Sequence, residues 1–228
     1  LQAAAAPRPP EVAADAHLLV DFHSGVVLAQ LDADQRTEPA SLTKMMTAYV
    51  VFQEMDAGHV ALDDQVRVSE KAWRKGGSKM WIEVDKLVSV ADLLRGMIIQ
   101  SGNDASIALA EHVAGSEESF ADLMNQTAAR LGLDDTHFMN STGWPHPEHY
   151  TTARDMVALG RALIRDFPER YAWHAEKSFT YSGITQHNRN RLLWQDESVD
   201  GIKTGHTQAA GFCLVASARR EGMRLISA

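Results

Sequence analysis

Cysteine is nearly absent: 228 residues contain only Cys213, which excludes an internal disulfide and leaves the compartment open. Within Gly211-Phe212-Cys213-Leu214-Val215 that thiol reads as a small buried hydrophobe. Metal-ligand spacings are equally scarce. His146 and His149, the one tight histidine pair, lie in a proline-flanked loop and read as surface decoration, so neither a metal nor a cofactor is expected. No uninterrupted apolar run has the length that spans a bilayer. Basic charge is the minority sign, 22 Lys and Arg against 30 Asp and Glu for a net −8, and it is scattered, which excludes a nucleic-acid surface. The alanine- and proline-rich start, Leu1 to Pro10, lacks the charged and apolar regions of a signal peptide and reads as a mature end after export or a trimmed edge. Asn125-Gln126-Thr127 and Asn140-Ser141-Thr142 match a glycosylation sequon, a pattern too short to carry weight.

What is present is a 45% hydrophobic chain, long enough for a substantial core. Two apolar runs, His17 to Phe22 and Val26 to Gln30, flank His23-Ser24-Gly25 as a β-hairpin. Ser41 to Met55 has helical periodicity and stops at Gly58. Val60 to Ser69 reads as short extended segments, and Arg74 to Lys79 as a polar, glycine-containing loop. Helical patterns then cover Val90 to Gln100, Ala105 to Ala114, Glu118 to Leu131 and Thr152 to Asp166. Strand patterns return at Lys177 to Tyr181, Gly201 to Gly205, Gly211 to Ala218 and Met223 to Ala228. The order strands, helices, strands predicts an α+β fold in one catalytic domain over 1–228. N- and C-terminal strands share an antiparallel sheet (about 12–90 and 175–228), with an all-helical insertion at about 90–170. The chain ends inside an apolar strand-like run, so more is expected to follow Ala228.

Three polar clusters stand out. Ser41-Leu42-Thr43-Lys44 opens a helix and places hydroxyl and amine on one face. As a helix cap Ser41 is ordinary, but a capping box wants Glu or Gln where Lys44 stands, and a lysine in the first turn opposes the macrodipole. A lysine held neutral by burial and a second cation would instead activate the serine. Lys203 is the candidate cation. Ser101-Gly102-Asn103 reads as a helix–helix turn or as a hydroxyl and an amide projecting into a cleft. Lys203-Thr204-Gly205 lies on a late strand, where the glycine lets a substrate backbone approach closely.

In this order the clusters form the set S-x-x-K, S-x-N, K-T-G of the serine penicillin-recognising enzymes. With Pro39-Ala40-Ser41-Leu42-Thr43-Lys44-Met45-Met46-Thr47, Gln100 to Ala105, Asn188 to Trp194 and Asp200 to Thr207, the chain resembles the low-molecular-mass penicillin-binding proteins. The resemblance is to the D-alanyl-D-alanine carboxypeptidases of the penicillin-binding protein 5/6 type, from about His17 onward, and it implies the serine β-lactamase-like fold. It implies Ser41 as nucleophile, Lys44 as its general base and Ser101 as proton relay. Asn103, Lys203, Thr204 and Gly205 would bind substrate, and Arg189 would stand on the cleft rim. The N–H groups of Ser41 and His206 would form the oxyanion hole. The implied partners are a peptidoglycan pentapeptide ending in D-Ala-D-Ala and, as covalent inhibitors, β-lactams. The implied location is periplasmic, with membrane contact only through a C-terminal segment beyond Ala228. More of the catalytic domain, with an arginine for the substrate carboxylate, and a β-rich domain would also lie beyond it.

A class A β-lactamase would carry Ser-Asp-Asn at the second cluster and a Glu-x-x-Leu-Asn motif; here Gly102 fills the middle and the motif is absent. A DD-endopeptidase acting on cross-linked peptides is the other catalytic alternative. A non-catalytic peptidoglycan-binding domain would have no use for an intact reacting set.

Overall fold

The computed structural model describes residues 11–228, so the stretch Leu1 to Pro10 falls outside the described residues. Strand β1 (His17–Asp21) turns back as β2 (Val27–Leu31), as the sequence predicts. A 3₁₀ turn, Ala40–Leu42, leads into α1 (Thr43–Asp56). Then come β3 (Gln65–Arg67), α2 (Glu70–Arg74), β4 (Leu87–Ser89), α3 (Val90–Ile99), α4 (Asn103–Ala114), α5 (Glu117–Leu131) and α6 (Ala153–Asp166). The chain closes with α7 (Pro168–Tyr171), β5 (Ser178–Tyr181), β6 (Ile184–His187), α8 (Leu192–Gln195), β7 (Val199–Thr207), β8 (Gly211–Arg220) and β9 (Met223–Ser227).

The N- and C-terminal strands do share one antiparallel sheet, in the order β2-β1-β9-β8-β7. One face buries Leu18, Val20, Val215 and Ile226, and α6 packs on β1, β8 and β9 from that side. The approach is close: a Cβ at Gly160 of α6 would lie 3.0 Å from Ile202 Cδ1. Helix α1 is buried along its first ten residues, from Thr43 to Phe52, and touches α3, α4, α5 and α6. A helix that meets protein on every side belongs in the middle of a core, and α1 is the post around which the helical part is assembled.

Two expectations need correction here. Lys177 to Tyr181 was expected among the sheet strands, but β5 pairs only with β6, in a separate two-stranded ribbon; β3 and β4 form another. The small elements α2, α7, α8 and β6 are too short to establish a period in the sequence. Cys213 is only partly buried, since the first residues of β8 at the β7–β8 hairpin are only partly covered and the adjacent Phe212 is 92% exposed.

Helix capping separates ordinary serines from the unusual one. Ser69, Ser89, Ser116 and Thr152 each accept a backbone N–H three residues on, at the starts of α2, α3, α5 and α6. Ser41 caps nothing, and the start of α1 has no side-chain cap bond. Its hydroxyl is left for another partner.

Candidate active site

Ser41 sits on the 3₁₀ turn and Lys44 one turn on, so their side chains meet: Lys44 Nζ lies 2.9 Å from Ser41 Oγ. The amine also donates to the carbonyl of Thr142 at 2.6 Å, and the residue is 1% exposed. Burial pushes the Lys44 amine well below the usual lysine range. The Lys203 charge pushes it further in the same direction, with a smaller push from Lys75, while Asp104 and Glu117 oppose it. A buried, charge-depressed amine in contact with a hydroxyl is a base positioned to take that hydroxyl's proton.

The second wall is the turn before α4. Ser101 has φ +67, a left-handed conformation that costs energy for a residue bearing a Cβ. Its Oγ accepts from Lys203 Nζ at 3.0 Å, so Ser101 faces the third cluster rather than capping a helix. Gly102 is enclosed: a Cβ there would lie 2.9 Å from Asp104 Oδ1 and 3.2 Å from Met80 N. Asn103 is the first residue of α4. Its Nδ2 donates to the Gly76 carbonyl at 2.8 Å, so the amide pins the loop after α2.

Strand β7, an edge of the sheet, supplies the third wall. Lys203 is 3% exposed and donates to Ser101 Oγ and to the Thr204 carbonyl, each at 3.0 Å. Burial, and then the charge of exposed Arg189, lower it to about 7. The backbone just before it is clamped. Asn190 Nδ2 donates to Gly201 O at 3.1 Å, and His174 Nδ1 pairs with Ile202 O at 3.0 Å. Gly205 brings β7 against the Ser41 turn, where a Cβ would sit 3.1 Å from Ser41 N. Thr204 is half-buried on the same strand, and His206 is exposed with its ring 4.4 Å from that of Phe212. Arg189 reaches the Gln100 side chain only at 3.4 Å, at the outer margin of this group.

Sequence reasoning missed the turn Asn140 to Trp144, which it treated only as a sequon. Asn140 Oδ1 accepts from Thr142 N, Thr142 Oγ1, Gly143 N and Trp144 N. Ser141 O accepts from Thr47 Oγ1 and Ser106 Oγ, while buried Glu117 accepts from Ser141 N and Oγ. The turn thereby delivers the Thr142 carbonyl to Lys44. Gly143 has φ +84, and a Cβ there would lie 1.7 Å from Ala40 O, an impossible overlap. The visible signal was Asn-Ser-Thr-Gly, a turn sequence ending on the residue that tolerates positive φ.

His149 corrects a second reading. It is buried, not surface decoration. Its Nδ1 accepts from Met139 N at 3.1 Å, which leaves the proton on Nε2 to donate to Thr43 Oγ1 at 2.9 Å. Both ring nitrogens are spent on tying this loop to the start of α1. Asp104 was also overlooked: fully buried, it accepts the N–H groups of Met80, Trp81, Ile82 and Ala105 and so anchors the loop beside Asn103.

Comparison with known proteins bears on the fold and the family. The family model described as D-alanyl-D-alanine carboxypeptidase matches residues 3–228. The D-alanyl-D-alanine carboxypeptidase DacC of Escherichia coli K12 is 53% identical over 225 residues, which are 96% of this chain and 56% of the relative. The chain therefore spans about half the length of the curated relatives it matches. Penicillin binding protein 5 from Haemophilus influenzae superposes with a TM-score of 0.94 at 47% identity, over 97% of this chain and 66% of that one. Penicillin-Binding Protein D2 from Listeria monocytogenes, solved in an ampicillin-bound form, gives 0.88 at 29% identity, over 97% and 90%. A match of the family model over nearly every residue, in a chain folded with these three clusters facing one another, means that the chain belongs to the D-alanyl-D-alanine carboxypeptidase family.

Proposed function

We propose that this chain is the acylating part of a serine D-Ala-D-Ala carboxypeptidase. The reading rests on the contact of fully buried Lys44 with Ser41, 2.9 Å, beside the Lys203–Ser101 pair. Lys44 Nζ takes the Ser41 hydroxyl proton as Oγ attacks the carbonyl of the terminal D-Ala-D-Ala bond. The backbone N–H groups of Ser41 and His206 hold the oxyanion. As the C–N bond breaks, Ser101 hands a proton to the departing D-alanine amine and is resupplied from the lysines. Lys44 then takes a proton from the hydrolytic water, whose oxygen displaces Ser41 and frees the shortened peptide. Lys203 and Thr204 receive the substrate carboxylate, with Arg189 adding charge at the rim. Asn103 orients the acyl-side amide, and Gly205 allows the peptide to lie along β7.

A β-lactam would acylate Ser41 in the same way, but its amine stays tethered after ring opening, so the adduct persists. That the Listeria relative was solved in an ampicillin-bound form supports β-lactam binding at such a fold. The natural substrate is then a peptidoglycan stem pentapeptide, and the site works in the periplasm, with the longer protein reaching the membrane through a segment beyond Ala228. Enclosure of Gly102 against Asp104 and Met80 favours this reading over a β-lactamase, whose second cluster would need an aspartate there. Incubation with a pentapeptide and with a cross-linked dimer should release D-alanine faster from the pentapeptide. Intact-mass spectrometry should find one penicillin adduct, absent in Ser41→Ala. Equal labelling of Ser41→Ala, or penicillin turnover without D-alanine release, would reject the assignment.

A further inference from the structure

His174 stands beside the reacting groups without a part in the mechanism above. It lies on the 3₁₀ turn Ala172–Ala175 and is 1% exposed. A carbonyl oxygen can only accept, so the contact of Nδ1 with Ile202 O, 3.0 Å, places the ring proton on Nδ1. Nε2 is then a bare acceptor, buried, and no group among the described residues donates to it. An apolar ring would fill this space without stranding a polar atom. What the imidazole adds is the Nδ1–H.

That donor meets the backbone at the residue before Lys203, on an edge strand that has β8 on one side only. Side chains do the rest of the holding there, Asn190 on Gly201 O and His174 on Ile202 O. The imidazole is itself held. Its ring stacks on Tyr171, with centres 5.4 Å apart at 28°, and the Tyr171 hydroxyl donates to Asp200 at 3.1 Å. Arg224 grips the same carboxylate at 2.6 Å. Gly201 closes in as well, with its Cβ position 3.4 Å from His174 Cβ. From this braced backbone the buried Lys203 side chain reaches Ser101 Oγ at 3.0 Å. We infer that His174 is a positioning residue for Lys203: its Nδ1–H fixes the Ile202 carbonyl, and with it the place from which the Lys203 ammonium meets Ser101 and acts on Lys44, a role that rests on the carboxypeptidase reading above.

The surrounding charges give this role a signature. His174 faces Lys203 and Asp200, and burial above all lowers it to about 4, so its replacement takes no charge from the working site. Lys203 faces Arg189, while Lys44 faces Lys203 and Lys75, opposed by Asp104 and Glu117. A displaced Lys203 acts less on Lys44, whose pKa then rises. Rates of penicillin acylation measured across pH read this out. His174→Phe keeps a ring against Tyr171 without the donor, and should move the acid limb up by about half a pH unit or more. His174→Asn, whose Nδ2 stands where Nδ1 does, should restore the wild-type limb. In Lys203→Ala the limb already lies high, and adding His174→Phe should move it no further. His174→Leu, of similar size, is the donor-free variant where phenylalanine does not fold. A lower Tm with an unmoved limb in the donor-free variant, no rescue by asparagine, or a further shift in the double variant overturns the positioning role. Absence of a penicillin adduct on wild-type Ser41 overturns the acylation reading itself, and the role falls with it.

Discussion

Lys203 Nζ donates to Ser101 Oγ at 3.0 Å, across an interval of 102 residues, and this contact joins the late strand to the helical insertion. The buried cation lies where its field keeps a proton off Lys44. Removing it in Lys203→Ala should raise the Lys44 pKa, so the acid limb of penicillin acylation moves to higher pH. Asp104 acts oppositely, so Asp104→Asn should move the limb to lower pH. Second-order acylation rates measured from pH 5 to 10 test both signs; shifts in the same direction would refute the electrostatic account.

Ser101→Ala removes the acceptor of Lys203 and the proposed relay to the leaving amine. D-alanine release should fall by about 10²-fold or more, with KM changing far less, as expected for a group that acts in the transition state. Stopped-flow acylation and peptide turnover measured side by side would reveal it. A change confined to KM would make Ser101 a binding residue instead.

Two glycines with positive φ make a controlled comparison. Gly58, φ +78, has open space around its missing Cβ, whereas Gly143, φ +84, faces Ala40 O. Gly58→Ala should cost only the left-handed strain, about 1 kcal/mol. Gly143→Ala should cost well over 3 kcal/mol, roughly 10 °C in Tm for a chain of this size, and should abolish penicillin labelling. Calorimetry of the two variants decides whether the clash or the strain dominates.

Acid should weaken the fold through two buried imidazoles. His149 and His174 are each lowered to about 4, by burial first. Between about 6.5 and 4 the unfolded chain binds protons that the folded one does not, so stability present above this window is lost as pH falls. The loss reaches up to about 3 kcal/mol for each group. His149→Gln can still accept from Met139 N and donate to Thr43, so the variant should flatten the Tm profile between pH 6.5 and 4. A profile as steep as wild type would remove His149 from the cause.

The sheet halves, α1 and the four long helices were legible because each carries its own hydrophobic period. The contact of Lys44 with Ser41 was legible because a lysine stands where a capping glutamate is expected, an anomaly visible within four residues. The support for that contact was not. Thr142 contributes a carbonyl, which has no residue code. Asp104 accepts the Met80 N–H from 24 residues away, and His149 joins the Met139 N–H, ten residues off, to the Thr43 hydroxyl, 106 residues off. The ribbon β5–β6 has ordinary strand composition, and only its docking, with Gln186 Nε2 donating to Lys79 O, tells it apart from a sheet strand.

The turn at Asn140 to Trp144 has one more consequence. Its glycine abuts the carbonyl before Ser41, and its threonine carbonyl holds the amine that would activate Ser41. Nucleophile, base and turn therefore cannot come apart singly. Partial damage should divide a population into fully competent and wholly dead molecules rather than produce a uniformly sluggish one. Titration of active molecules with a labelled penicillin would then track the fraction of intact turns.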